Sequence, residues 1–107
     1  MTDDPVKNYF AVAVSAPVNR PLTYLAPDTC DQPLMPGMRV LVPLSGRKIT
    51  GYILERVGSA PQGQQIKKIY EVLGSEPLFP AEQVSFYKWI AKYYHYPIGE
   101  VIKTALP

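Results

Sequence analysis

The sequence predicts a mainly β, α+β domain: a small twisted or barrel-like antiparallel sheet of about five to six strands, followed by C-terminal helices. Short segments that alternate with period two occupy residues 6–73 and are separated by proline and glycine turns. From about residue 80 to residue 104 the apolar spacing becomes helical. Because 107 residues suffice for one modest core, we expect a single domain over residues 1–107.

Five strands are predicted. Residues 10–14 alternate between large and small apolar side chains, and residues 22–25 resume as a short strand after a proline-bounded break. Prolines hold residues 27–36 in loops, since proline cannot donate to a β-ladder. Residues 38–44 and 49–57 form a hairpin connected through residues 45–48, and residues 66–73 form the fifth strand after a polar loop.

The helical region contains one long and one short helix. Over residues 81–94 the spacing predicts two apolar stripes, made by Val84, Tyr87, Ile90, Ala91 and Tyr94 and by Phe86, Trp89 and Tyr93. Two stripes cover more of the helix than one sheet requires, so we expect another surface to cover the second stripe. Pro97 ends this helix and begins a short one through Lys103.

Composition excludes several classes of function. No apolar run approaches the roughly 20 residues of a membrane span, and no secretory signal is present, so we expect a cytoplasmic protein without a membrane partner. One cysteine, Cys30, excludes an internal disulfide and a cysteine-based zinc cluster. Residues 47–107 carry eight basic against five acidic residues, a balance that suits either a local anionic contact or a plain solvated surface.

Candidate chemical motifs are weak. Residues 58–65 have the two glycines of a Walker A loop but lack its Lys and Ser/Thr, which indicates a flexible loop. His95, the sole histidine, is interpreted as a polar ring at a helix end, although general-base use stays open. The tyrosines form either core or stacking surfaces for nucleobases. Lys67 and Lys68 are adjacent on a predicted strand and point to opposite faces, so one of them faces solvent or a groove.

Segments along nearly the whole chain resemble, in order and spacing, the start of the replication-restart helicase PriA, the primosomal protein N-prime. They are residues 10–14 (FAVAV), 21–27 (PLTYLAP), 36–43 (PGMRVLVP), 51–54 (GYIL), 67–73 (KKIYEVL), 76–78 (EPL), 93–101 (YYHYPIGEV) and 105–107 (ALP). The abrupt end after a helix-like segment also suggests a module of a longer protein. The resemblance implies a domain that binds the 3′ end of a nascent leading strand at a stalled replication fork.

The resemblance also implies site residues. The family pocket contains a Phe-Asp-Tyr triplet, a glycine in the loop after the Arg-Val-x-Val-Pro strand, and a lysine before the Glu-Val-Leu strand end. By position, these become Leu22, Thr23 and Tyr24, then Ser45 or Gly46, and Lys67. Thr23 replaces an aspartate, so its bond to the terminal ribose hydroxyl should be weaker than a charge-assisted one. Leu22 replaces an aromatic ring with an aliphatic contact.

The expected function is therefore that of a non-enzymatic DNA-binding module in a bacterial, cytoplasmic replication-restart helicase. Its expected partners are DNA with a 3′ end or a fork, the remaining helicase domains in cis and other primosome proteins. ATP, magnesium and zinc belong, by the same resemblance, to the rest of the helicase, and no cofactor or metal is expected here. The alternative is a protein-protein or interdomain module that uses the Phe86, Trp89 and Tyr93 helix face.

Overall fold

A computed structural model describes residues 8–28, 32–61, 63 and 65–106. The acidic N-terminus, Cys30, part of the 58–65 loop and Pro107 lie outside the described residues. The elements are, in chain order, β1 (Tyr9–Val14), β2 (Leu22–Leu25), β3 (Arg39–Leu44), β4 (Arg47–Val57), β5 (Glu71–Leu73), α1 (Gln83–Tyr94) and α2 (Ile98–Ala105).

The five strands form one antiparallel sheet in the order β2-β1-β4-β3-β5. The prediction of a mainly β, α+β fold with C-terminal helices is confirmed. The sheet is open, with β2 and β5 at its two edges, so the barrel-like form does not close through a continuous ladder. Five strands, not six, are present in the described part of the chain.

The β3–β4 hairpin is tighter than predicted. Its two turn residues, Ser45 and Gly46, both have positive φ, at 52° and 77°. Such a pair is typical of the type I′ turn, whose twist matches that of the flanking strands. Consequently β4 begins at Arg47, two residues before the predicted start at Ile49.

The predicted fifth strand is wrong at its beginning, because residues 66–70 do not belong to β5. The Leu25 N–H donates to the Lys67 carbonyl over 2.9 Å, and the Ile69 N–H donates to the Leu25 carbonyl over 2.8 Å. The Tyr70 N–H then donates to Leu41 of β3 over 2.8 Å. This segment therefore crosses from the edge strand β2 to β3, with which β5 then pairs, and this path places Lys67 beside β2.

Apolar side chains pack on both faces of the sheet. Face A is the cluster around Phe10, Val12 and Val14; it includes Tyr24, Met38, Val40, Val42, Ile53 and Ile69. Face B carries the helices; its cluster includes Ala11, Ala13, Tyr52, Leu54, Phe79, Val84, Tyr87, Ile98 and Ile102. β1 thus turns its large side chains to one face and its small ones to the other, as its alternation predicts.

Small residues let α2 approach the sheet closely. A Cβ atom on Gly99 would lie only 1.8 Å from the backbone oxygen of Val14, so this helix position requires glycine. The backbone of α2 consequently lies directly against β1. The contact fixes the helical layer on face B.

α1 buries only part of its predicted first stripe. Val84 and Tyr87 are buried, but Tyr94, the last residue of the predicted first stripe, is 65% exposed. The helix ends at Tyr94, and His95 follows in the left-handed conformation, at φ 55°. The side chain of Tyr94 thus falls beyond the part of α1 that packs on the sheet. Among the described residues, neither helix is long and apolar enough to cross a bilayer.

Candidate nucleic-acid interface

A cavity of about 460 Å³, here called the end cavity, opens between β2, the β3–β4 hairpin and the segment that precedes Lys67. Its described lining residues are Arg20, Pro21, Leu22, Thr23, Tyr24, Pro43, Leu44, Ser45, Pro61, Gln65, Ile66 and Lys67. Five of the six site residues implied by the resemblance line it. The sixth, Gly46, is the neighbouring turn residue and does not line the cavity.

Tyr24 forms a wall of the end cavity. Its side chain is only 4% exposed, and its hydroxyl donates to the carbonyl oxygen of Pro43 over 2.8 Å. Burial raises the pKa of the Tyr24 phenol, which keeps it protonated and able to donate. The hydrogen bond joins β2 to the end of β3 and so holds two sides of the cavity together. Little of its ring is open for stacking on a base.

Thr23 presents backbone groups as well as a hydroxyl at the β2 edge. Leu25 directs its N–H and C=O away from β1, to Lys67 and Ile69. Backbone groups two residues apart on a strand point to the same side, so those of Thr23 also point away from β1, toward the end cavity. Thr23 therefore offers a donor and an acceptor beyond its side chain.

Lys67 and Lys68 have different surroundings, as their adjacent positions predict. Lys67 lines the end cavity, whereas the Lys68 ammonium lies 2.5 Å from a carboxylate oxygen of Asp28. Arg20 adds a second cation to the cavity, and none of its described lining residues is acidic. This arrangement favours an anionic ligand.

Sequence reasoning missed Arg20, Pro61, Gln65 and Ile66, which also line the end cavity. Arg20 lies in a loop that has no ligand motif, and Gln65 and Ile66 reach the cavity because the segment that follows them bonds to Leu25. The sole signal was their proximity in sequence to Leu22 and Lys67. Both contributions depend on how the chain crosses the sheet, which local patterns do not specify.

The other candidate residues lie away from the end cavity. Tyr52 is buried on face B; burial raises its pKa, with Arg39 lowering it and Glu100 raising it by smaller amounts. Tyr70 is exposed, and the Lys48 ammonium lies 3.7 Å from its ring centroid, so a cation already covers one ring face. His95 lines a second cavity near the end of α1.

The described structure is that of a small α+β binding domain: an open sheet backed by two helices, with a cation-rimmed cavity at one strand edge. Residues 11–107 match the family model of the PriA 3′ DNA-binding domain (3′BD). The chain belongs to this family.

Full-length relatives extend far beyond this domain. The chain is similar to Replication restart protein PriA of Haemophilus influenzae, with 34% identity over 90% of the chain and 13% of that protein. It is 31% identical to the protein of the same name from Chlamydia pneumoniae, over 92% of the chain and 13% of that protein. The Bacillus subtilis protein of that name is 29% identical over 69% of the chain and 9% of its own length. The chain thus spans about an eighth of the first two relatives.

Proposed function

We propose that this domain binds DNA and seats the terminal nucleotide of a 3′ end in the end cavity, as the N-terminal module of a replication-restart helicase. The observation that best supports this proposal is that residues from three separate segments line one cavity: Leu22, Thr23, Tyr24, Ser45 and Lys67. The family match supports DNA as the ligand. The relevant DNA is the nascent leading strand at a stalled fork.

The size and chemistry of the end cavity suit a nucleotide. Its volume of about 460 Å³ falls within the range of about 300–1,000 Å³ that is usual for small-ligand sites. Leu22 and Ile66 supply apolar surface for a sugar or base, and Arg20 and Lys67 supply cations for a phosphate. The cavity therefore offers a partner for each part of a nucleotide.

Recognition of the strand end depends on Thr23 in this proposal. Its hydroxyl accepts a hydrogen bond from the terminal 3′-hydroxyl or, with the roles reversed, donates one to it. The backbone groups of Thr23 lie on the same side. Gly46 has nothing within 4 Å of an added Cβ, so the Ser45–Gly46 turn leaves room for the ligand to approach the backbone. Without a carboxylate at residue 23, the bond to the ribose is weaker than a charge-assisted one.

The domain carries out no chemistry itself and uses no cofactor in this proposal. ATP hydrolysis with magnesium, and a separate zinc-binding region, belong to the remaining helicase domains in cis, which move along the strand that this domain holds. Other primosome proteins then assemble at the fork, in the bacterial cytoplasm.

End recognition is tested by fluorescence anisotropy with 5′-labelled single strands that end in a 3′-hydroxyl or a 3′-phosphate. We expect the 3′-phosphate to weaken binding about tenfold, since it removes the hydroxyl bond and crowds the cavity. Thr23→Val, which replaces the hydroxyl with a methyl group, should reduce this discrimination. Equal affinity of the wild type for both strands would contradict end recognition, and no binding at moderate salt would contradict DNA binding.

A second function, contact with another protein surface, is supported by the outer side of α1. Phe86, Trp89 and Tyr93 are 56%, 57% and 63% exposed, and the rings of Trp89 and Tyr93 stack with centroids 5.2 Å apart. An exposed aromatic group of this size is typical of an interaction surface. We propose that it contacts the rest of the helicase, and it is compatible with DNA binding at the end cavity.

A further inference from the structure

A second cavity of about 440 Å³, here called the α1 groove, adjoins the end cavity. Its described lining residues are Asn19, Pro21, Lys88, Ala91, Lys92, His95, Tyr96 and Ile98. Pro21 lines both cavities, so the two meet at this residue. Arg20, the residue before Pro21, lines the end cavity. A ligand that fills the end cavity and continues as a chain would meet the α1 groove next.

The α1 groove has the chemistry of a single-strand subsite. Ala91 and Ile98 give it an apolar floor, and the exposed ring of Tyr96 lies at its rim. Lys88 already bonds to a carboxylate oxygen of Glu55 over 2.9 Å. Lys92 is in no ion pair with any carboxylate of the described residues. Of the two lysines in the groove, Lys92 is therefore the better placed to bind a phosphate of a ligand.

We propose that the α1 groove binds the nucleotides on the 5′ side of the strand end, so that the strand crosses Pro21 and places a backbone phosphate on Lys92. This inference rests on the proposed function, because it extends the ligand of the end cavity. Single-stranded DNA fits better than a peptide because the groove continues directly from the end cavity. An apolar surface, an aromatic ring and an unpaired ammonium group also occur together in proteins that bind single-stranded nucleic acids.

The test uses the 107-residue chain and 5′-labelled oligothymidylates of two to eight nucleotides with a 3′-hydroxyl. Wild-type affinity should rise with length beyond the dinucleotide as the α1 groove fills. Lys92→Gln should lower affinity for the octamer about threefold and reduce the slope of log affinity against log salt by about 0.7, the value for one phosphate contact on a single strand. Its affinity for the dinucleotide should stay at the wild-type value.

Lys103→Gln is the matched control, because Lys103 is an exposed lysine of α2 that lines neither cavity. Equal affinities of Lys92→Gln and Lys103→Gln at every oligonucleotide length would overturn the proposed role of the α1 groove. The proposed role of the end cavity would not be affected. An equal loss for dinucleotide and octamer would also overturn it, since Lys92 would then act on the terminal nucleotide. If the wild type binds no oligonucleotide, the proposed function fails together with this inference.

Discussion

The two faces of the sheet are covered in different ways. On face A, strands and loops are joined by hydrogen bonds. The Tyr24 hydroxyl of β2 donates to the Pro43 carbonyl, and the segment after residue 65 bonds to the backbone of Leu25. On face B, two helices lie on small residues, with Gly99 against the β1 backbone. On the side of face A, the edge of β2 borders the end cavity, and its polar backbone groups are available to a ligand. Face B is covered by a packed helical layer.

This difference separates binding from support. The end cavity needs a strand edge that other chain segments cover only in part. A fully covered edge would leave no backbone or cationic groups for a ligand. The helical layer depends on close backbone contact between α2 and β1. α1 packs against α2 and carries the aromatic group of Phe86, Trp89 and Tyr93 on its outer side. Substitutions on the two sides should therefore affect different properties.

Gly99→Ala tests the helical layer and should have the largest effect. The new Cβ would overlap the Val14 carbonyl oxygen, a backbone atom that cannot rotate away, so we expect the free energy of unfolding to fall by about 2–3 kcal/mol. Urea denaturation measures this loss. Gly58→Ala is the control, because nothing lies within 4 Å of its Cβ, and it should change stability by about 0.5 kcal/mol or less. Equal stability of the two variants would contradict the close contact.

Lys67→Ala tests the cationic rim of the end cavity. Loss of one charge-assisted contact with phosphate should weaken binding of a 3′-hydroxyl strand by about 1.5 kcal/mol, roughly tenfold. Lys68→Ala removes the same charge one residue away and should leave affinity within about twofold, because Lys68 faces Asp28. Anisotropy titrations at one salt concentration compare the two variants. The opposite ranking would show that the ligand lies on the other side of the segment.

Tyr24→Phe tests the hydrogen bond that joins β2 to β3. The Pro43 carbonyl would lose its donor, so we expect stability at pH 7 to fall by about 1 kcal/mol. Because burial raises the folded-state pKa of Tyr24 above the ordinary tyrosine value of 10.0, its contribution is complete below pH 10 and is lost as pH rises through the folded pKa.

Denaturation measured from pH 7 to pH 11 should thus show a smaller alkaline loss in Tyr24→Phe than in the wild type. Tyr93→Phe, which changes an exposed ring on α1, is the matched control and should follow the wild-type profile. A Tyr24→Phe profile parallel to that of the wild type at every pH would contradict a role for the buried phenol.

Trp89→Ala should have the smallest effect on the isolated domain. The side chain is largely exposed and stacks on Tyr93, so we expect a loss of stability of about 0.5 kcal/mol and unchanged DNA affinity. Chemical denaturation and anisotropy check both values. A marked fall in DNA affinity would place the aromatic group in the DNA interface and remove the separation between the two faces.

Periodicity predicted most of the fold. The alternation of Phe10, Val12 and Val14 located β1, and helical spacing located α1. The boundaries that failed depend on tertiary contacts: residues 66–70 look like a strand, but their backbone bonds are divided between β2 and β3. The predicted end of α1 at Tyr94 agrees with the structure, but the Tyr94 side chain, which fits an apolar stripe, is exposed there.

The candidate site was predictable only through the family resemblance. Position-by-position transfer selected Leu22, Thr23, Tyr24, Ser45 and Lys67, which the fold brings to one cavity. Composition alone would not have grouped them, since they are up to 45 residues apart in the chain. Arg20 and the α1 groove were missed because their proximity to these residues depends on loop paths and on the docking of α1.

The short outer strands have a consequence for colloidal behaviour. β2 has four residues and β5 has three, and the chain segment bonded to Leu25 occupies part of the β2 rim. Long, flat, unpaired rims let β proteins polymerise by adding strands from other molecules. Here too few consecutive unpaired amides remain for a strand of another molecule to extend the sheet. The domain can therefore keep part of the β2 rim open for its ligand without polymerising into fibrils.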